Sequence, residues 1–420
     1  MHNLNQKKEI KVIPKLLIVF TAFHALWISQ VISLLGDQIH SIGMIWYINN
    51  NLGGLEGEML YGFAMSLPMA IVSIFAGVIV DRFKRTSILF FTDITRAVIV
   101  GIMAMIFIFI SPNLLVISFL SIILGVSGLL FKPAVQSLLP DLAGGDRDKL
   151  LKMDSWHLGT ITIFSVLGPS LAGFITPYVN IETLLLIDSL TFIISALFLK
   201  VMMNKLKKEG NYKNPSLPKK GKIFSQAREG LSYIFTHKVI GPQFAIFPLF
   251  EAIMFAVPYL LPILISEHFQ GNIKLYGIFL GLWALGRILG MSLVRKTTLI
   301  HHRGLIFSLN FIVQGTALIM VTFATNEYIA FVGFLMLGIP AGAATISLSS
   351  FIQTDMPNEM RGRIFAAMTS MVMCLTPLGP IGLGFLTKQT NIQFTFLTIS
   401  ILLIILGLII SSFKSIRSAK

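Results

Sequence analysis

Gly77-Val78-Ile79-Val80-Asp81-Arg82-Phe83-Lys84-Arg85 is a tight charged knot between two long apolar stretches. An Asp-Arg pair and two further cations close one hydrophobic run and open the next. Charge packed this densely between apolar runs predicts a short cytoplasmic hairpin joining two membrane helices.

Apolar runs repeat on both sides of that hairpin. The chain is 55% hydrophobic and 12% charged, with a mean hydropathy of +0.80; a soluble domain carries about 25% charged residues. Twelve segments are each long enough to cross a hydrocarbon core as a helix. They are predicted over 16–49, 58–80, 87–110, 114–138, 153–177, 182–203, 240–266, 274–294, 303–323, 327–352, 363–386 and 391–413. The first is overlong, and either tilts or lies partly in the interface. The predicted fold class is an all-α membrane protein with twelve transmembrane helices.

The net charge of +14 is a topology signal. Of the 33 Lys and Arg, 28 fall in the even-side loops and the termini. Arg96, Lys132 and Arg287 lie within or at the end of spans, and only Lys274 and Lys388 lie on the opposite side. This positive-inside asymmetry puts both termini in the cytoplasm of a multi-pass protein of the cell membrane. The partner of the basic surface is then the lipid bilayer, not nucleic acid. Residues 1–15 are polar and basic with no cleavage site after a short apolar run, so the first helix is expected to stay. Cys374 is the only cysteine, which excludes disulfides and thiolate metal sites. No loop has room for a soluble catalytic domain, so no enzyme activity, catalytic residue, cofactor or metal is expected. His301-His302 has no acidic or cysteine neighbour and reads as a solvated loop.

The chain also repeats itself. Gly168-Pro169-Ser170-Leu171-Ala172-Gly173 matches Gly379-Pro380-Ile381-Gly382-Leu383-Gly384, 211 positions later. Gly77-x-x-x-Asp81-Arg82 matches Gly290-x-x-x-Val294-Arg295 at 213, and Leu139-Pro140-Asp141 matches Met356-Pro357-Asn358 at 217. One register for all three predicts two pseudo-symmetric six-helix bundles, 1–203 and 239–420. Residues 204–238 form a basic cytoplasmic linker. An amphipathic surface helix over 223–235 and a plain tether over 204–222 are both compatible with its composition.

Further motifs carry a family resemblance over nearly the whole chain. They are Phe131-Lys132-Pro133-Ala134 with Leu138-Leu139-Pro140-Asp141, Ile187-Asp188-Ser189-Leu190-Thr191-Phe192, Ala227-Arg228-Glu229-Gly230-Leu231, and Gln353-x-x-Met356-Pro357-Asn358-Glu359-Met360-Arg361-Gly362-Arg363. With the Asp81-Arg82 hairpin, the ordered set resembles the drug:proton antiporter branch of the major facilitator superfamily, which includes macrolide-efflux proteins and a siderophore exporter. The resemblance implies a monomeric secondary transporter that exports an amphipathic small molecule against inward proton flow by rocking two bundles about a central site. It implies a conformational switch at Gly77, Asp81, Arg82, Lys84 and Arg85, with Arg361 and Arg363 as counterpart. A carboxylate at a helix N-terminus gains about 0.3–1 kcal/mol, a size suited to a latch that opens each cycle. A plain topological anchor is the competing account. The chain departs from the family at Lys84 and Thr86 in the hairpin and at Phe164 upstream of Gly168. It also has no arginine between 113 and 130, where family antiporters carry one.

Gly168, Pro169 and Gly173, repeated as Gly379 and Pro380, remove a backbone donor and allow close helix approach, predicting bends at a pliable contact. Ordinary packing is the alternative. Charges inside spans weigh most. Each costs about 2.5–3.5 kcal/mol near mid-membrane, so Asp37, Asp93, Arg96, Asp188, Glu251 and Arg287 must face a cavity or one another. Gln30, Ser33, Asp37 and Ser41 fall on one helical face, with His40 beside them. A carboxylate moving between dry and wet surroundings can bind and release a proton. Asp37 is therefore the first proton-coupling candidate and Glu251 the second; a hydrogen bond to a neighbouring helix is the other reading of Asp37. Asp93 and Arg96 stand three apart and are predicted to pair. Asp188 is predicted to make an interhelical hydrogen bond. Glu251 shares a face with Phe244, Phe247 and Phe255, which suits a bulky lipophilic cation. Arg287 either closes a helix contact or meets an anionic group. Export of one specific metabolite, or a membrane receptor without transport, are the competing functions.

Overall fold

The computed structural model describes residues 21–209, 232, 240–296 and 303–412. The predicted surface helix lies almost wholly outside the described residues, as does His301-His302. Among the described residues there are thirteen α-helices: α1 (Ala22–Asn51), α2 (Gly54–Arg82), α3 (Arg85–Phe109), α4 (Leu114–Ala143), α5 (Arg147–Ile175), α6 (Ile181–Glu209), α7 (Ile240–His268), α8 (Ile273–Lys296), α9 (Arg303–Thr322), α10 (Glu327–Asp355), α11 (Asn358–Leu375), α12 (Leu378–Gln389) and α13 (Ile392–Ser412). Nine of the described helical segments are long and apolar enough to cross a membrane. Helix α1, with its run of polar side chains, is not among them.

Local chemistry sets the ends. Asn113, Asp146 and Asn326 cap α4, α5 and α10 by accepting hydrogen bonds from first-turn amides. Gly144 ends α4 in the left-handed conformation that a side chain would strain. The eleventh segment is the one that breaks. It divides at Thr376-Pro377 into α11 and α12, and Pro377 caps α12, where its missing N–H costs nothing. Gly168 and Pro169 do not interrupt α5, which continues to Ile175. The interruption in the second half falls at Thr376-Pro377, just ahead of Gly379-Pro380.

The N-terminal helices pack α1 against α5 and α6, α3 against α4 and α6, and α2 against α4. In the C-terminal helices α8 packs on α10, α9 on α10 and α13, and α7 on α11, α12 and α13. The seam between the groups runs along α5–α8 and along α2 against α7, α11 and α12. The repeated glycines occupy matching places. A Cβ at Gly168 would strike Gln38 of α1, and one at Gly379 the Ala252 carbonyl of α7. Gly173 meets the Gly277 backbone of α8, and Gly384 meets Met59 of α2. Spans five and eleven therefore touch the first helix of their own group and the second helix of the other.

The seam is tied at the end carrying the 52–53 and 390–391 loops, here termed the far end. Lys388 Nζ bonds Glu56 Oε1 at 2.6 Å, Lys274 Nζ bonds the Tyr178 hydroxyl at 2.9 Å, and Ser170 donates to the Gly277 carbonyl at 3.3 Å. Tyr61–Tyr259 and Trp46–Tyr276 ring contacts lie beside them, with centroids 6.4 and 6.3 Å apart. Glu56 precedes the predicted span, and its hydrogen bond and charge contact with Lys388 hold its carboxyl below the ordinary value of 4.5. Because the folded value is the lower one, the stabilisation is complete above the ordinary value and fades as pH falls through the lowered one. Both side chains are more than half exposed, so the effect is modest. The Tm difference between wild type and Glu56→Gln should be small and constant from pH 8 to about 5 and vanish under further acidification; a difference that grows in acid would contradict the pairing.

Candidate functional site

A cavity of about 750 Å³ lies between the two helix groups. Helices α1 and α5 contribute Gln38, Ser41, Ile42, Ile45 and Pro169; α7 contributes Phe247, Phe250, Glu251, Met254, Phe255, Pro258 and Tyr259. Tyr276, Leu280, Trp283 and Arg287 of α8 and Asn310 and Gln314 of α9 line it as well, with further residues of α10 and α11. Amphipathic spacing explains the lining. Phe247, Glu251, Phe255 and Tyr259 recur every four residues along α7, as Trp283 and Arg287 do along α8. Phe250 packs on Phe311 at 4.8 Å and Phe247 on Phe307 at 6.2 Å, which fixes α7 against α9. The volume suits a drug-sized ligand and the walls are mainly apolar with a few polar groups.

A second constellation sits among the N-terminal helices. Arg96 Nη1 of α3 lies 3.6 Å from Asp37 Oδ2 of α1, and its guanidinium rests 5.2 Å from the Phe192 ring and 5.7 Å from that of Phe131. Gly128 leaves the room, since a Cβ there would strike the guanidinium. His40 Nδ1 meets Asp188 Oδ2 at 2.8 Å, with both side chains buried. Gly36 makes that approach possible, because a Cβ there would strike Asp188 and Thr191. Asp93 accepts a hydrogen bond from Ser195 of α6. Asp188 thus bridges α6 to α1, as its burial required.

Several expectations change. Asp93 and Arg96 still feel each other's charge, but their direct contacts are Ser195 for Asp93 and Asp37 for Arg96. The polar stripe of α1 does not face the cavity as a unit, and of its members only Ser41 lines it. Gln30 is drawn to His157 of α5 at 2.7 Å, and Ser33 bonds back to the Gln30 carbonyl. Asp37, with 37% of its side chain exposed, is turned to Arg96. Glu251, Phe247, Phe255 and Arg287 do line the cavity; the Phe244 side chain lies outside the described residues. In the hairpin, Arg85 is engaged within its own group, bonding the Ser137 carbonyl at 2.9 Å and the Asp141 carboxylate on α4. Lys84 precedes α3 without a side-chain cap. Gly77, Asp81, Arg82, Arg361 and Arg363 sit on α2 and α11, with side chains outside the described set.

Sequence reasoning missed Glu58, Trp283 and the Asn310–Gln314 pair. Glu58 is 1% exposed and neither carboxyl oxygen has a hydrogen-bond partner. Among the described residues no three His, Cys, Asp or Glu gather as a metal-binding group.

A family model described as a transmembrane secretion effector matches residues 18–420. The chain belongs to that family. It is a multi-pass transporter of the major facilitator superfamily and not an enzyme. The staphyloferrin A transporter of Staphylococcus aureus is 22% identical over 371 residues, covering 88% of this chain and 90% of that protein. Macrolide efflux protein A of Streptococcus pyogenes is 19% identical over 400 residues, covering 94% and 96%. A crystal structure of a peptide transporter POT in complex with sulfate superposes with a TM-score of 0.72 at 13% identity, covering 93% of each chain. That likeness concerns the fold alone. Arg96 of α3, which faces Asp37, lies against Gly128 of the fourth span.

Proposed function

We propose that the protein is a proton-coupled exporter of amphipathic compounds such as macrolides, working by alternating access between two six-helix bundles of twelve spans. The observation that carries this reading is the cavity, walled by both helix groups and backed by a seam tied at the far end. The matched glycine contacts of spans five and eleven support the two-bundle arrangement. With both termini cytoplasmic and the protein acting as a monomer in the cell membrane, this conformation faces inward. Asp37 is the coupling carboxylate, and Arg96 is the fixed charge that competes with the proton for it.

Proteoliposomes test the reading. With a proton gradient imposed, labelled erythromycin should move against the proton flow, and a protonophore should stop it. Flux that ignores the gradient would remove the coupling, and no flux of any amphipathic compound would favour a receptor. A second reading, export of a specific metabolite such as a siderophore, draws on the staphyloferrin A relative and on Arg287, a cation placed where an anionic group could meet it.

A further inference from the structure

The cavity carries both signs of charge, near enough for the Arg287 charge to act on Glu251 but not in direct contact. Arg287 of α8 is exposed into it and Glu251 of α7 is half-buried at its wall. No ion pair within 4 Å joins either to a described residue. Each is accompanied on the cavity wall by a neutral residue with one polar atom left without a partner. Trp283, one turn before Arg287, offers a buried indole N–H with no acceptor. Gln314 of α9 is fully buried; its Nε2 donates to Asn310 Oδ1 at 2.7 Å, which leaves its Oε1 without a donor. The Phe250–Phe311 contact ties the Glu251 and Gln314 helices together. The α8 side chains therefore offer donors and positive charge, and those of α7 and α9 offer acceptors and negative charge.

We propose that the cavity selects zwitterionic amphiphiles, with the anionic group on Arg287 and Trp283 and the cationic group on Glu251 and Gln314. A plain lipophilic cation satisfies Glu251 but is repelled by Arg287, and strips water from that guanidinium without replacing it. An anion has the mirror-image defect. A ligand bearing both charges answers both protein groups as it displaces their water, and the penalty against single-charge ligands makes the selectivity. This inference rests on the transporter reading and narrows its substrate class to compounds bearing both charges, ranking singly charged cations such as erythromycin below them.

The test uses two dyes on one scaffold: tetramethylrhodamine, a zwitterion at neutral pH, and its methyl ester, a cation. Binding to the full chain in nanodiscs is read by fluorescence anisotropy. Wild type should bind the zwitterion about tenfold more tightly, the size that one charge-assisted hydrogen bond supplies. Arg287→Gln should lose that preference while binding the ester as before, Arg287→Lys should keep part of it, and Glu251→Gln should weaken both dyes. Equal binding in wild type, preference for the ester, parallel loss of both dyes in Arg287→Gln, or binding of neither dye would overturn the proposal. Gradient-driven flux, measured separately in proteoliposomes, distinguishes the two readings. A zwitterion preference without flux sinks export alone, and flux without preference sinks only the bipolar cavity.

Discussion

Asp37→Asn is expected to reduce proton-driven flux to that of empty vesicles while leaving substrate affinity within about threefold. The carboxamide keeps the shape and hydrogen bonding of the side chain but cannot exchange a proton. Substrate contacts survive because Asp37 does not line the cavity. Arg96 bears the structural consequence. Its side chain is 13% exposed, its Nε has no partner, and without Asp37 it retains the Phe131 and Phe192 rings. Removing one member of a buried pair costs about 3–5 kcal/mol; with Asp37 partly exposed, about 1–3 kcal/mol is the fitting range. The double variant Asp37→Asn/Arg96→Gln separates the two effects, since it should recover Tm without recovering flux. Normal gradient-driven flux in Asp37→Asn would take the proton away from this residue.

The all-helical, multi-pass character was legible because hydropathy is a one-dimensional signal. The Gly168 and Gly379 repeats were legible for the same reason, since their offset fixes which helices correspond. Pairings were harder. Three-residue spacing put Asp93 near Arg96 along α3, yet α6 supplies Ser195 to one and α1 supplies Asp37 to the other. Spacing within one helix says nothing about which neighbour competes. Glu58 was hidden by a boundary. The predicted span opens at this residue and left it at the edge of the apolar run, whereas α2 starts at Gly54 and buries it a turn inside. Trp283 and Gln314 were indistinguishable from ordinary core residues until the cavity showed which of their atoms lack partners.

The far-end seam offers the second large effect, because it closes on bare backbone. A Cβ at Gly173 would lie 2.8 Å from the Ile273 carbonyl oxygen and 2.9 Å from Gly277 Cα. One at Gly277 would press on the Pro169 carbonyl and lie 2.9 Å from Gly173 Cα. Neither neighbour is a flexible side chain, so the added methyl must push α5 from α8. Overpacking of this kind costs about 1–3 kcal/mol, and each 1.4 kcal/mol moves a two-state equilibrium about tenfold. The penalty falls only on conformations with the far end shut, so Gly277→Ala should shift the population toward far-end opening. Ile45, buried on the cavity wall at 4% exposure, can report it as Ile45→Cys in a Cys374→Ser background. An impermeant maleimide added at the far face should label this site about tenfold faster in Gly277→Ala or Gly173→Ala. Gly382→Ala should change nothing, since no atom lies within 4 Å of a Cβ there. Slower or unchanged labelling in both seam variants would mean that α5 and α8 yield sideways, and that the glycines serve packing alone.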